Sequence, residues 1–127
     1  MVKLDHLTIA VSDWRASRDW YVRGFGFAVE FEVGDGGTEH LGVAALQDDA
    51  GLTVFLEQRT PPILSGQGAY ALQVDDVAAV HSRLARDGAR VIAPPGPQFW
   101  GYGAVVADPD GHMLHLWDEA SMAAHQG

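Results

Sequence analysis

Two stretches of the chain, Ile9 to Tyr21 and Leu72 to Leu84, read as the same unit of strand, cap and helix, with Val11 matching Val74 and Asp13 matching Asp76. An internal repeat constrains architecture before any single motif does, because each copy must solve the same burial problem in the same way. It also gives an internal control: chemistry carried by one copy can be looked for at the matching position of the other. His6, just upstream in the first copy, maps onto Ala69 in the second.

The alternation of Leu4-Asp5-His6-Leu7-Thr8-Ile9-Ala10-Val11 predicts a strand with Leu7, Ile9 and Val11 on one face and His6, Thr8 and Ala10 on the other. Ser12 and Asp13 are N-cap residues, and a helix is predicted from Trp14 to Arg23, ending at Gly24 and Gly26. Three strands follow, about Phe27 to Val33, His40 to Leu46 and Leu52 to Gln58, separated by glycine and aspartate turns. Arg59-Thr60-Pro61-Pro62 opens a loop running through Gly66 and Gly68, which links the halves within one domain.

The second half repeats this order. Tyr70, Leu72 and Val74 form the core face of a strand, and Asp75 or Asp76 caps a helix that carries Val77, Val80 and Leu84 at helical spacing until Gly88. Arg90 to Ala93 is read as a strand broken by Pro94-Pro95-Gly96-Pro97. Gly101 to Ala107 and His112 to Trp117 read as a hairpin across Asp108-Pro109-Asp110-Gly111, a type I turn signature.

Composition narrows the partners. The 127 residues are 47% hydrophobic with a net charge of −9, enough apolar material for a core and the wrong sign for nucleic acid or an anionic membrane. The absence of cysteine removes disulfides, thiolate metal sites and a cysteine nucleophile. The first residues, Met1-Val2-Lys3-Leu4-Asp5, show no apolar signal core, and no run approaches the ~18 apolar residues of a membrane span, so a cytoplasmic location is expected.

Asp5-His6-Leu7-Thr8-Ile9-Ala10-Val11-Ser12-Asp13, Val74-Asp75-Asp76 and Asp108-Pro109-Asp110-Gly111-His112, in that order, resemble the vicinal oxygen chelate superfamily of glyoxalases, bleomycin-resistance proteins and extradiol dioxygenases. The resemblance runs from about Leu4 to Trp117. It implies an α+β fold of two βαβββ modules, about 3–58 and 68–118, whose eight strands form an open, U-shaped sheet around a cleft in a single domain, 1–127. It also implies a homodimer. Activity does not follow from the fold, since the same scaffold hosts lyases, isomerases, dioxygenases and metal-free drug traps.

In metal-dependent relatives the first and last strand of each module supply the ligands. His6 fills the first slot here, either as a ligand or as a polar residue of the cleft. The second slot is Glu57 if Pro61 and Pro62 anchor the comparison, and Phe55 if Gly51 does; Thr53, Phe55 and Glu57 share one face under both. Ala69 in the third slot cannot bind metal. His115 stands in the fourth, sharing its face with Met113 and Trp117, whereas His112 points to the opposite side. His6, Glu57 and His115 together would make a ligand set for one divalent ion, Fe, Mn, Zn, Co or Ni.

The rest of the implied cleft is aromatic. Phe55, Met113 and Trp117 project toward it, and Trp100 and Tyr102 lie on the segment Phe99-Trp100-Gly101-Tyr102, which in relatives folds over the ligand. Flat apolar rings suit planar guests and attract cations through their faces. Trp14, Trp20 and Tyr21 are assigned to packing on the first helix. Gly34-Asp35-Gly36-Gly37 reads as a hairpin loop, and His40, His81 and His125 have no recognisable partner.

Two readings stay open. One is a binding protein for an aromatic or cationic small molecule such as an antibiotic, with no cofactor and with His6, Phe55, Glu57, Trp100, Tyr102, Met113, His115 and Trp117 lining the site. The other is a metal-dependent lyase, isomerase or dioxygenase in which His6, Glu57 and His115 hold the ion and Glu57 also moves a proton.

Overall fold

The computed structural model describes residues 1–37, 39–65 and 69–125. The chain divides into two compact units, Met1–Leu64 and Ser65–Gly127, and each holds one four-stranded mixed sheet. The first unit contains β1 (His6–Val11), α1 (Trp14–Phe25), β2 (Ala28–Val33), β3 (Val43–Gln47) and β4 (Thr53–Gln58). The second contains β5 (Ala69–Gln73), α2 (Val77–Arg86), β6 (Arg90–Gln98), β7 (Gly101–Ala107), β8 (Met113–Trp117) and α3 (Glu119–Ala124). This is the α+β pair of βαβββ modules that the repeat implied. Gly66 and Gly68 of the expected linking loop lie outside the described residues.

The sheet orders are β1-β4-β3-β2 and β5-β8-β7-β6. In both units the first strand runs parallel to the last while the three later strands form antiparallel ladders. A parallel pair needs a long crossover, and the helix after the first strand is part of it. Both helices start from an aspartate in near-identical extended geometry, Asp13 at φ −149°, ψ 103° and Asp76 at φ −148°, ψ 103°. The Asp13 carboxylate accepts from the backbone N–H of Arg15 and Ala16, and that of Asp76 from Ala79, supplying acceptors to N–H groups that have no partner within the helix. Gly26 ends α1 at φ 71°, its N–H donating to the Val22 carbonyl.

Each sheet buries the face that meets its helix. Ile9, Val11, Leu46 and Leu56 close over the first core with Trp14 and Tyr21 of α1, and Leu114, Leu116 and Val106 over the second with Val77 and Leu84 of α2. Trp14 is fixed by more than burial: its indole N–H edge packs onto Gly42, where a side chain would collide with it, and its backbone N–H donates to Gln58 Oε1 at 3.1 Å. Trp20 and Tyr21 join Phe25 and Phe27 in an aromatic cluster at the end of α1, in keeping with a packing role.

Two elements differ from the sequence expectation. The strand beginning at Arg90 does not stop at Pro94 but continues through Pro94, Pro95 and Pro97 to Gln98. It can do so because β6 is an edge strand, and its register against β7 shifts between Val91 and Ala93 and again between Ala93 and Gly96, so residues lacking an N–H fall where the ladder needs no donor. The second difference is α3, which the sequence reading did not include.

Asp118 explains α3 and ties it to the core. Its buried carboxylate accepts from the Ser121 backbone N–H at the start of α3 and from the Val77 backbone N–H at the start of α2, both at 2.6 Å. One side chain thus caps two helices. These backbone donors, Val77 first, hold the Asp118 carboxyl below the usual carboxylate range. Replacing it, Asp118→Ala, is expected to lower the unfolding free energy by about 1–3 kcal/mol at neutral pH, read from urea-unfolding curves. Because the folded-state pKa is depressed, that stabilisation is complete above the unfolded value of about 3.9 and is lost as pH falls through the lower folded value. The native and variant stabilities should therefore converge in acid; a constant gap down to the lowest measurable pH contradicts this assignment.

Candidate functional site

The sheet face turned away from the helix carries the residues singled out from the sequence, and the strand registers decide which of them meet. In the first unit His6 pairs with Thr53, Thr8 with Phe55 and Ala10 with Glu57. The neighbouring strand places Gln47 beside Thr53, Ala45 beside Phe55 and Val43 beside Glu57. These residues share one face, so alternation located all of them correctly with respect to side. Register adds their order along it.

That order decides which of Phe55 and Glu57 lies against His6. The His6 imidazole lies flat on the Phe55 ring, centroids 4.1 Å apart and planes 16° from parallel. Phe31 then meets Phe55 edge to face at 5.5 Å, reaching across the buried Ala45. The result is a row of three rings across β1, β4 and β2. Glu57 stands four residues beyond Thr53, about 13 Å along the strand, and its Oε1 accepts from Arg59 Nε at 2.9 Å. His6 Nδ1 is 2.9 Å from Asp5 Oδ2, and this hydrogen bond holds the Asp5 carboxyl below its ordinary range.

Phe31 was not among the sequence candidates, for a structural reason. Counting alternately from Ala28 sends it to the helix side, but a bulge at Glu30, between the pairs Val29–Leu46 and Phe31–Ala45, moves it to the open face. Thr53 Oγ donates to Glu30 Oε2 at 2.9 Å across the bulge. The second unit repeats the device: the register shifts between Val91 and Ala93, around Ile92. A bulge at matched positions in two copies is detectable by comparing them, though neither copy alone announces it.

The second unit uses the same frame with different residues. Ala69 pairs with Met113, Ala71 with His115 and Gln73 with Trp117. By register, His115 corresponds to Phe55, Trp117 to Glu57, Ala69 to His6 and Ala93 to Phe31. His115 therefore lacks both flanking rings of the first unit. Its imidazole is covered instead by Trp100, centroids 4.8 Å apart and planes 13° from parallel. Trp100 comes from the two-residue turn between β6 and β7, and Gly103 sits against both the Leu116 carbonyl and the indole tip, so a side chain there would collide with the backbone first and with Trp100 second.

Tyr102 does not join this face. It pairs with Pro97, one step out of phase with Gly101 and Gly103, and stacks on His125 at 3.9 Å beside α3. Its backbone N–H donates to the Met122 sulfur at 3.4 Å. His112 is buried on the helix side against Tyr70, as alternation required. At the end of β5 a shallow open depression is lined by Gln73, Val74, Asp75, Glu119 and Ala120.

A divalent ion would need His6, Glu57 and His115 to converge, and the residues do not fit that demand. Within the first unit His6 and Glu57 stand at opposite ends of the face, each with another polar partner. Among the described residues no group of three or more His, Asp or Glu side chains is placed to hold a metal. Among the described residues, too, no helix is long and apolar enough to cross a membrane.

With two βαβββ modules and their faces in view, the family follows. The chain belongs to the Glyoxalase/Bleomycin resistance protein/Dioxygenase superfamily, whose model matches residues 3–116. No curated protein matches its sequence. Among solved structures it is similar to TnmS3, an antibiotic binding protein from Streptomyces sp. CB03234, at 28% identity over 92% of this chain and 96% of that one, TM-score 0.73. It is also similar to TioX from Micromonospora sp. ML1, at 25% identity over 90% and 97%, TM-score 0.65. FosX, the fosfomycin resistance protein from Listeria monocytogenes solved with Mn(II), shares the fold at 18% identity over 91% and 89%, TM-score 0.73.

The ring row makes a spectroscopic prediction. Phe55→Ala should shift the His6 ring-proton NMR signals downfield by removing the aromatic plane against which they lie, while Glu57→Ala leaves them in place. Equal responses to the two substitutions would mean that His6 sits with Glu57 rather than with Phe55.

Proposed function

We propose that this protein binds a planar aromatic small molecule bearing positive charge, an antibiotic-like compound, and does so as a metal-free homodimer in the cytoplasm, with residues 1–127 working as one domain. The observation that carries this reading is the flat stacking of an imidazole on an aromatic ring on the face away from the helix in both modules, His6 on Phe55 and His115 on Trp100. Such surfaces offer large apolar area with little conformational freedom to lose, and offset stacking of one more ring extends an arrangement already in place.

Charge supports the cationic preference. The net charge is −9, and the depression beside Trp117's register partner Gln73 includes Asp75 and Glu119. The likeness to TnmS3 points the same way, since that protein is an antibiotic binding protein. Dimerisation is supported by apolar side chains left in water on the first unit: Leu4, Val29, Phe31 and Val33 are all exposed. Met113, Trp117 and Phe55 contribute ring and thioether surface in this reading, and Glu57 an outlying charge.

Titration with proflavine, a planar tricyclic cation, is expected to quench tryptophan fluorescence saturably and with 1:1 stoichiometry per chain. Phe55→Ala should weaken binding by about three- to tenfold, the worth of one aromatic contact. The metal-dependent reading is tested on the same preparation by elemental analysis of protein purified without chelator. Stoichiometric Fe, Mn, Zn, Co or Ni that disappears in the His6→Ala variant would replace the binding reading with the enzymatic one.

A further inference from the structure

The second module holds a planar slot that its own side chain fills. His115 is flanked by small residues where the first module has rings, Ala69 in place of His6 and Ala93 in place of Phe31; on the neighbouring strand Val105 pairs with it, and Gly103, two residues on, carries no side chain. The space over the imidazole is taken by the Trp100 indole, near-parallel at 4.8 Å. Trp100 does not belong to a strand of that face. It is the second residue of the turn Phe99-Trp100, closed by the pair Gln98–Gly101.

The local backbone separates what is anchored from what is free. Gly101, directly after Trp100, sits at φ 138°, a conformation that favours glycine, and the Met122 sulfur packs where its side chain would be. Tyr102 is held by its N–H to Met122 and by the stack on His125. From Gly101 onward the strand is therefore pinned by α3. On the other side of Trp100, Phe99 is 98% exposed, so the turn's first residue adds no packing to it. Trp100 makes none of the β6–β7 ladder pairs, so the ladder does not hold its side chain in place.

We propose that Trp100 is a removable plug: it occupies, in the free protein, the slot on His115 that a bicyclic or larger aromatic ring of the ligand takes on binding. The assignment rests on the binding function proposed above and reverses the role of one residue in it, since Trp100 then competes with the ligand instead of holding it. The slot selects flat rings of at least indole size, because a smaller ring would surrender the stacking area that Trp100 provides. Affinity for such ligands is set partly by the loss of the Trp100 stack.

The test uses two probes and two variants. Trp100→Ala opens the slot, and Trp100→Phe keeps an aromatic residue on the turn while covering less of it. Free indole should bind Trp100→Ala about three- to tenfold more tightly than the native protein, with Trp100→Phe in between. In native protein labelled with 5-fluorotryptophan, the Trp100 fluorine signal, assigned from Trp100→Phe, should move to the solvent-exposed position as proflavine saturates. Unchanged or weaker indole binding by a folded Trp100→Ala protein overturns the plug, as does proflavine binding that leaves the Trp100 signal in place. Indole binding to the opened variant without any proflavine binding to native protein would retain the plug and reject the proposed function.

Discussion

The parallel pairing of the first strand of each module with its last is the constraint on which the rest depends. Once β1 lies along β4 with His6 opposite Thr53, every residue of the open face has its neighbours assigned, and the helix of the crossover can cover only the other face. A shift of two residues would keep every side chain on its side of the sheet yet put Glu57, not Phe55, diagonal to His6. The chemistry of the face is thus a property of register. What fixes the register is the buried side, where Ile9, Val11, Leu56, Leu46 and Trp14 interlock at close packing and a slip would leave voids.

Much of the fold was legible because its signals are local. Alternation identified β1, the Asp108-Pro109-Asp110-Gly111 turn identified β7 and β8 as a hairpin, aspartate caps and glycine stops bounded the helices, and the turn behaves as its residues require, with the Asp108 carboxylate accepting from the backbone N–H of Asp110 and His112. The misreadings came from tertiary position. Three prolines argue against a strand only if the strand is interior, and nothing within Arg90–Gln98 says that it forms an edge. The helix Glu119–Ala124 is short enough that its start depends on Asp118, a residue whose second duty at Val77 belongs to a part of the chain far away in sequence.

The candidate site was legible by side and illegible by distance. Period-two alternation placed His6, Phe55, Glu57, Met113, His115 and Trp117 on the open face correctly, since that period is a property of every strand. It could not choose between Phe55 and Glu57 as the neighbour of His6, because that choice lies in the pairing of two strands separated by most of a module. Tyr102 was grouped with Trp100 on sequence proximity, but the turn and Gly101 put these two side chains to different uses, one over His115 and the other under α3. Phe31 escaped because a bulge changes the phase of its strand.

The two modules have kept their caps, strand order and bulges while exchanging nearly everything on the open face. In the first, the imidazole comes from the first strand and rests on a ring from the last; in the second, the imidazole is on the last strand and the ring arrives from a turn. The features retained are those whose loss costs stability outright, an uncapped helix or a mispaired ladder. The features exchanged are half-buried side chains whose replacement costs the sheet little, so this face is where the copies were free to acquire different contacts. A row of rings that is complete in one module and interrupted by alanines in the other is what that freedom produced.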